Sequence, residues 1–131
     1  MPVPIISGKD VPVQQRPGRN LQWLATAETL GAQLLSMCHL ECPPGATVRP
    51  VHSHRDTEEL MYILEGQGEA WVDGDVATFR AGDAVLFPAN TKHMVRNIGV
   101  TPLVAACFFA PAMTSASYEF YEDIDPWPEE K

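Results

Sequence analysis

Two histidines one residue apart, followed by two adjacent glutamates, are the residues of this chain best placed to do chemistry. They lie in GATVRPVHSHRDTEELMYILEG, from Gly45 to Gly66: His52, His54, Glu58 and Glu59. Alternate side chains of a strand point the same way, so His52 and His54 project to one face with α-carbons roughly 6.6 Å apart. Two imidazoles at that separation can converge on one ion. A carboxylate arriving on the next strand can join them, and the four-residue turn between His54 and Glu59 returns the chain antiparallel. Glu59 shares its face with Met61 and Ile63 and so looks inward, whereas Glu58 looks outward. A buried carboxylate without a partner costs several kcal/mol, and an ion would explain its placement. An HxH pair alone is a weak signal; a further ligand downstream is needed to strengthen it.

The elements that must hold these residues read as strands. The chain has 131 residues with 12 prolines and 9 glycines, which suits one domain built of short strands and turns. Residues 1–20 are rich in proline and polar residues and read as an arm with at most one short strand. LQWLA (21–25) reads as a strand and TAETLG as a loop ending at Gly31. AQLLSMCHLEC runs as a strand into Pro43, Pro44 and Gly45. ATVRPVHSH alternates with Val48, Pro50, His52 and His54 on one side. Pro50 cannot donate to a ladder, so this strand is an edge strand or a bulged one. EELMYILEG is apolar on both faces, which predicts burial on both sides. EAWVDGDVATF turns on Asp73-Gly74 as a hairpin. AVLF, KHMVRN and PLVAACFFA complete the set. Turns recur every 8 to 12 residues and no stretch has a strong helical period, which indicates an all-β sandwich or barrel.

The second stretch, GDAVLFPANTKHMVRN, brings the reading to a family. Together the two stretches resemble the paired motifs of the cupin superfamily. The first has Gly45, His52, His54, Glu59 and Gly66; the second has Gly82, Pro88, His93 and Asn97. Six residues rather than the usual five separate Gly45 from His52. Asn90 stands where the family usually has glycine, and asparagine also tolerates positive φ. The resemblance implies a double-stranded β-helix, a small jelly-roll barrel. Its core is expected over 31–112, with residues 1–30 as arm and first strand and 113–131 as an acidic, aromatic tail. It also implies a ligand set of three histidines and one glutamate: His52, His54, Glu59 and His93. That set suits one divalent transition metal (Fe, Mn, Ni, Zn, Co or Cu) without choosing among them. In octahedral geometry two positions stay open, the mark of a working metal.

The resemblance leaves function open between two classes. One is a metal-dependent enzyme on a small oxygenated molecule, by dioxygenase or by lyase, isomerase or cyclase chemistry. The other is a non-catalytic module binding a small carboxylate or sugar. Met61, Ile63, Val95 and Phe108 or Phe109 read as apolar pocket wall or as plain core. His39 is a weak candidate for a base, since it reads more readily as a satisfied polar residue on the other face. Tyr62 is a weak candidate for an acid, because it lies three residues from Glu59 and alternation turns it out. Arg49 and Arg96, offset by odd numbers from the ligands, are expected to face outward.

Charge and cysteine content set the surroundings. The net charge is −8, and six acids against one lysine from Glu119 to Lys131 give −5 of it, leaving −3 for the rest. The tail reads as a solvated segment, although Tyr118, Phe120, Tyr121 and Trp127 could fold over the barrel mouth or across a partner. A mildly acidic body gives no support for binding nucleic acid or an anionic membrane. Cys38 and Cys42 lie roughly 13 Å apart in a strand, too far for a disulfide. With Cys107 they read as small core residues of a reducing compartment. The start lacks the basic end and long apolar run of a signal peptide, so a cytoplasmic protein is expected. By resemblance it forms a homodimer.

Overall fold

The computed structural model describes residues 2–128. Eleven strands form two antiparallel sheets packed face to face. They are β1 (Gln14–Arg16), β2 (Arg19–Ala25), β3 (Ser36–Cys42), β4 (Thr47–His54), β5 (Glu58–Glu65), β6 (Gln67–Val72), β7 (Asp75–Arg80), β8 (Ala84–Phe87), β9 (His93–Asn97), β10 (Leu103–Ala110) and β11 (Tyr118–Tyr121). One sheet has the order β1-β2-β3-β10-β5-β8 and the other β11-β4-β9-β6-β7. This is the jelly-roll expected from the turn spacing. The TAETLG segment holds one helical turn, Ala27–Leu30, capped by the Thr26 hydroxyl and ended by Gly31 at φ 71°.

The arm and the tail are built into the sheets. Residues of the arm supply β1 and the start of β2, at one edge of the six-stranded sheet. The tail supplies β11, which pairs with β4 and places Tyr118 opposite His54 and Phe120 opposite His52. The tail is therefore seated on the barrel, with Glu122, Asp123 and Asp125 still exposed, rather than wholly solvated; its last residues, 129–131, lie outside the described ones. Basic side chains of the barrel hold it: Arg49 pairs with Asp125, Arg55 with Glu119, and Arg96 lies over the Trp127 ring.

Pro50 acts through a bulge. β4 is flanked on both sides, so it is not an edge strand. Four positions separate Val48 from His52, against two between their partners Val95 and His93. An insertion of two residues keeps the alternation in step, so Val48, His52 and His54 still share the inner face.

β5 corrects the expectation of burial on both faces. Glu59, Met61 and Ile63 are buried between the sheets, but Leu60 and Tyr62 on the other face are 42% and 43% exposed. Among the described residues nothing covers that face, because the second sheet lies on one side only.

Two glycines are required by close approach. Gly66, at φ 87°, would place a Cβ 2.6 Å from the Pro102 carbonyl oxygen. Gly18, at φ 77°, would place one 1.8 Å from the Thr47 carbonyl oxygen, so only glycine lets the arm cross β4 where it enters β2.

Candidate metal centre

His52, His54, Glu59 and His93 converge between the sheets, all four buried, with one potential ligand atom from each within 4.8 Å of the others. β4 contributes two imidazoles, β9 the third and β5 the carboxylate. Glu59 sits between Phe109 of β10 and Phe87 of β8 in the register. Glu58, one residue earlier, is exposed.

The imidazoles are oriented from behind. His52 Nδ1 donates to the Pro50 carbonyl and His93 Nδ1 to the Thr91 carbonyl, each at 3.0 Å. Both rings are thereby fixed with Nε2 as the atom left for a cation. The Phe87 ring stacks on His93 at 4.3 Å, and Phe109 meets His54 edge-on at 5.2 Å. The bulge at Pro50 thus frees the carbonyl that orients His52.

Electrostatics favour the charge states a cation needs. Burial depresses the His52 pKa well below the ordinary imidazole value, and neighbouring His93 and His54 add to the effect, so the ring is neutral. Burial alone would raise the Glu59 carboxyl, but the hydrogen bond from His54 and the nearness of the His93 ring outweigh it and leave the group ionised, well below the usual carboxylate range. His54 Nε2 lies 3.1 Å and His93 Nε2 3.5 Å from Glu59 Oε1. His93 Nε2 is buried without a hydrogen-bond partner. Such an orphan atom, beside a buried carboxylate and the neutral His52 ring, fits a divalent cation and has no other evident use.

The turns of the two motifs lock onto each other. Asn90 takes φ 64° in place of the family's glycine. Its Oδ1 accepts from the Asp56 backbone N–H at 3.0 Å, and its own N–H donates to the His54 carbonyl at 2.9 Å. Asn97 ties the barrel instead, donating to the carbonyls of Cys42 and Thr101.

The ligands open onto a cavity of about 40 Å³. One water needs roughly 10–15 Å³, so only a few atoms fit. Of the expected wall residues, Met61, Val95 and Phe109 line it. Ile63 is buried in the core outside the cavity, and Phe108 is exposed.

His39 and Tyr62 are not at the site. His39 shares the outer face of β3 with Met37 and Glu41, and Tyr62 shares that of β5 with Leu60, in each case because strand alternation turns them away. Arg49 and Arg96 also stay off the cavity, as expected, and serve the tail. The polar groups that do reach the cavity are Arg19 and Tyr118. Arg19 does not stand out in the sequence, whereas Tyr118 is one of the tail aromatics that could fold over the barrel mouth. Alternation back from Leu21 and Trp23 would have placed Arg19 inward, had the strand been started two residues earlier. Tyr118 also lines an outer groove with Trp23, Ser36 and Met113, so it forms the wall between cavity and surface.

Comparison with known proteins agrees with this geometry. The family model described as Cupin domain matches residues 38–109. An uncharacterized protein of Methanocaldococcus jannaschii, MJ1618, is 35% identical over 72 residues, 55% of this chain and 58% of that one. Polyketide synthase CurC of Streptomyces cyaneus is 30% identical over 95 residues, 72% of this chain and 61% of that one. The match thus spans less than two thirds of either relative. Among solved structures, a predicted oxalate decarboxylase of Thermotoga maritima superposes with a TM-score of 0.72 at 20% identity, over 82% of this chain and 98% of that one, which bears on the fold.

Proposed function

Because the chain belongs to the cupin family, with the motif-bearing strands inside the matched region, we propose that it is a metal-dependent enzyme acting on a small oxygenated organic molecule. The observation that carries this reading is the buried His52, His54, Glu59, His93 cluster opening onto a small cavity. A divalent transition ion there supplies Lewis acidity or, if redox-active, activation of dioxygen. The protein's part is to keep His52 neutral, to aim three imidazoles, to hold one carboxylate ionised, and to pack Phe87 and Phe109 against the ligands. Dioxygenase chemistry and lyase or isomerase chemistry both suit such a site. Oxygen uptake together with anaerobic product analysis separates them, over diketones, catechols, sugar acids and short carboxylates with each metal. Turnover that His93→Ala abolishes is expected.

One observation favours a binding module instead: among the described residues, the cavity holds no Asp, Glu or His beyond the four ligands to serve as a base. Absence of turnover with any metal would favour that reading. We also propose a homodimer through the outer face of the six-stranded sheet. Phe108 pairs with Leu60 and Leu60 with Leu86 across adjacent strands, and all three are exposed. Such a contiguous apolar row on a flat sheet suits a second copy of itself. Light scattering of the native chain tests this; a monomer at all concentrations contradicts it.

A further inference from the structure

Arg19 is the one cationic side chain lining the cavity among the described residues, and it lacks a carboxylate. The residue is only 9% exposed. Its described hydrogen bonds both leave from Nη1, to the carbonyls of Pro17 at 3.1 Å and Arg49 at 3.0 Å. Nη2 and Nε have no partner among the described residues. No Asp or Glu there lies within ion-pair distance of the guanidinium. The Tyr118 hydroxyl, on the same cavity, also has no hydrogen-bond partner among the described residues. Its ring stands 5.1 Å from that of His54, centroid to centroid.

The charge balance of this interior calls for an anion. Glu59 carries one negative charge, Arg19 one positive, and a divalent cation two more, with His52 neutral. The sum is two uncompensated positive charges in a small, mostly apolar space. Uncompensated buried charge is costly, and a guanidinium with free donors matches a carboxylate better than any neutral group. The small cavity limits that carboxylate to a few non-hydrogen atoms.

We propose that Arg19 and Tyr118 form an anion subsite facing the metal ligands, which selects short carboxylates bearing a second oxygen next to the carboxyl: vicinal dicarboxylates, 2-oxo acids or 2-hydroxy acids. The guanidinium and the phenol donate to the carboxylate, and the adjacent oxygen is left for the ion. This rests on the metal reading above. Gly18 and the residues leading into β2 thereby acquire a purpose, since they bring Arg19 across β4 to the cavity.

Calorimetric titration of the metal-loaded full chain with oxalate, oxamate and oxamide tests the subsite. These share one shape and carry two, one and no negative charges. Metal content is measured before and after each titration. Affinity is expected to fall in that order. Arg19→Met should weaken oxalate binding by about 100-fold and flatten the order, with metal content unchanged, as for loss of a charge-assisted pair. If Arg19→Met does not fold, Arg19→Lys serves, because it keeps the charge but loses the planar fork; about 10-fold weakening is expected. Tyr118→Phe should cost about fivefold, the scale of one neutral hydrogen bond. Oxalate binding within twofold of native in a folded, metal-loaded Arg19 variant overturns the proposal. Failure of the metal reading shows separately, as a native chain that takes up no metal. In that event, Arg19-dependent oxalate binding still upholds the subsite, and its absence overturns it.

Discussion

The cavity is walled by two regions of different origin. One side comes from β4, β5 and β9, which hold the four candidate ligands within the family match. The other comes from the two ends of the chain: Arg19 at the start of β2 and Tyr118 at the start of β11. Both ligand segments close on positive-φ turns and fix their side chains from behind. The end regions are held by a glycine crossing, by strand pairing and by surface ion pairs. The difference assigns tasks: the motif strands hold the ion, and the ends decide what may sit beside it.

The largest effects should come from the motif side. His54→Ala or His93→Ala should weaken metal affinity by more than about 100-fold, beyond the usual cost of losing an orienting partner. Competition with a chelator measures this. Arg19 variants should leave that affinity within a few-fold, and equal losses on both sides would erase the division proposed.

The next effect tests how the arm is seated. Gly18→Ala should destabilise the fold by roughly 3 kcal/mol, since both φ and the Thr47 carbonyl oppose a Cβ. Denaturant unfolding checks it. A neutral substitution would mean that the arm is not held as described.

A smaller effect should follow pH. The His52 pKa is depressed on folding, so the unfolded chain takes up that proton more readily. The stability it contributes is complete above the unfolded imidazole value of about 6.5 and drains as pH falls below it. Glu59, depressed likewise, loses its contribution only at more acidic pH. Melting temperatures of metal-free protein should therefore fall between about pH 7 and about pH 5.5. A flat profile would contradict the buried, neutral state of His52.

Least of all should be removal of the exposed Arg55–Glu119 pair that helps hold β11. Arg55→Ala should leave the melting temperature within error and the metal content unchanged. A large drop would show that the tail depends on its ion pairs more than on its strand pairing.

The ligand side was legible in the sequence because strand alternation and motif spacing are local. His52, His54 and Glu59 share a face by parity alone, and even the bulge at Pro50 preserves it. Asn90 could be expected to keep its turn for the same local reason. The resemblance then supplied His93. The ends were not legible, because their placement depends on pairings distant in sequence. Nothing local says that Tyr118 will lie opposite His54. The boundary of β2 fell short of Arg19 because Gly18 and Pro17 resemble a loop. Tertiary context also decided β5: its outer apolar face reads like core but has no second layer over it among the described residues.

The most direct test of the central claim is elemental analysis of the untagged native chain beside His93→Ala, after purification and again after reconstitution with each divalent metal. About one transition-metal ion per native chain is expected, with little in the variant under the same conditions. A folded native chain that holds no metal after reconstitution, or a His93→Ala variant that holds as much as the native chain, would contradict the account.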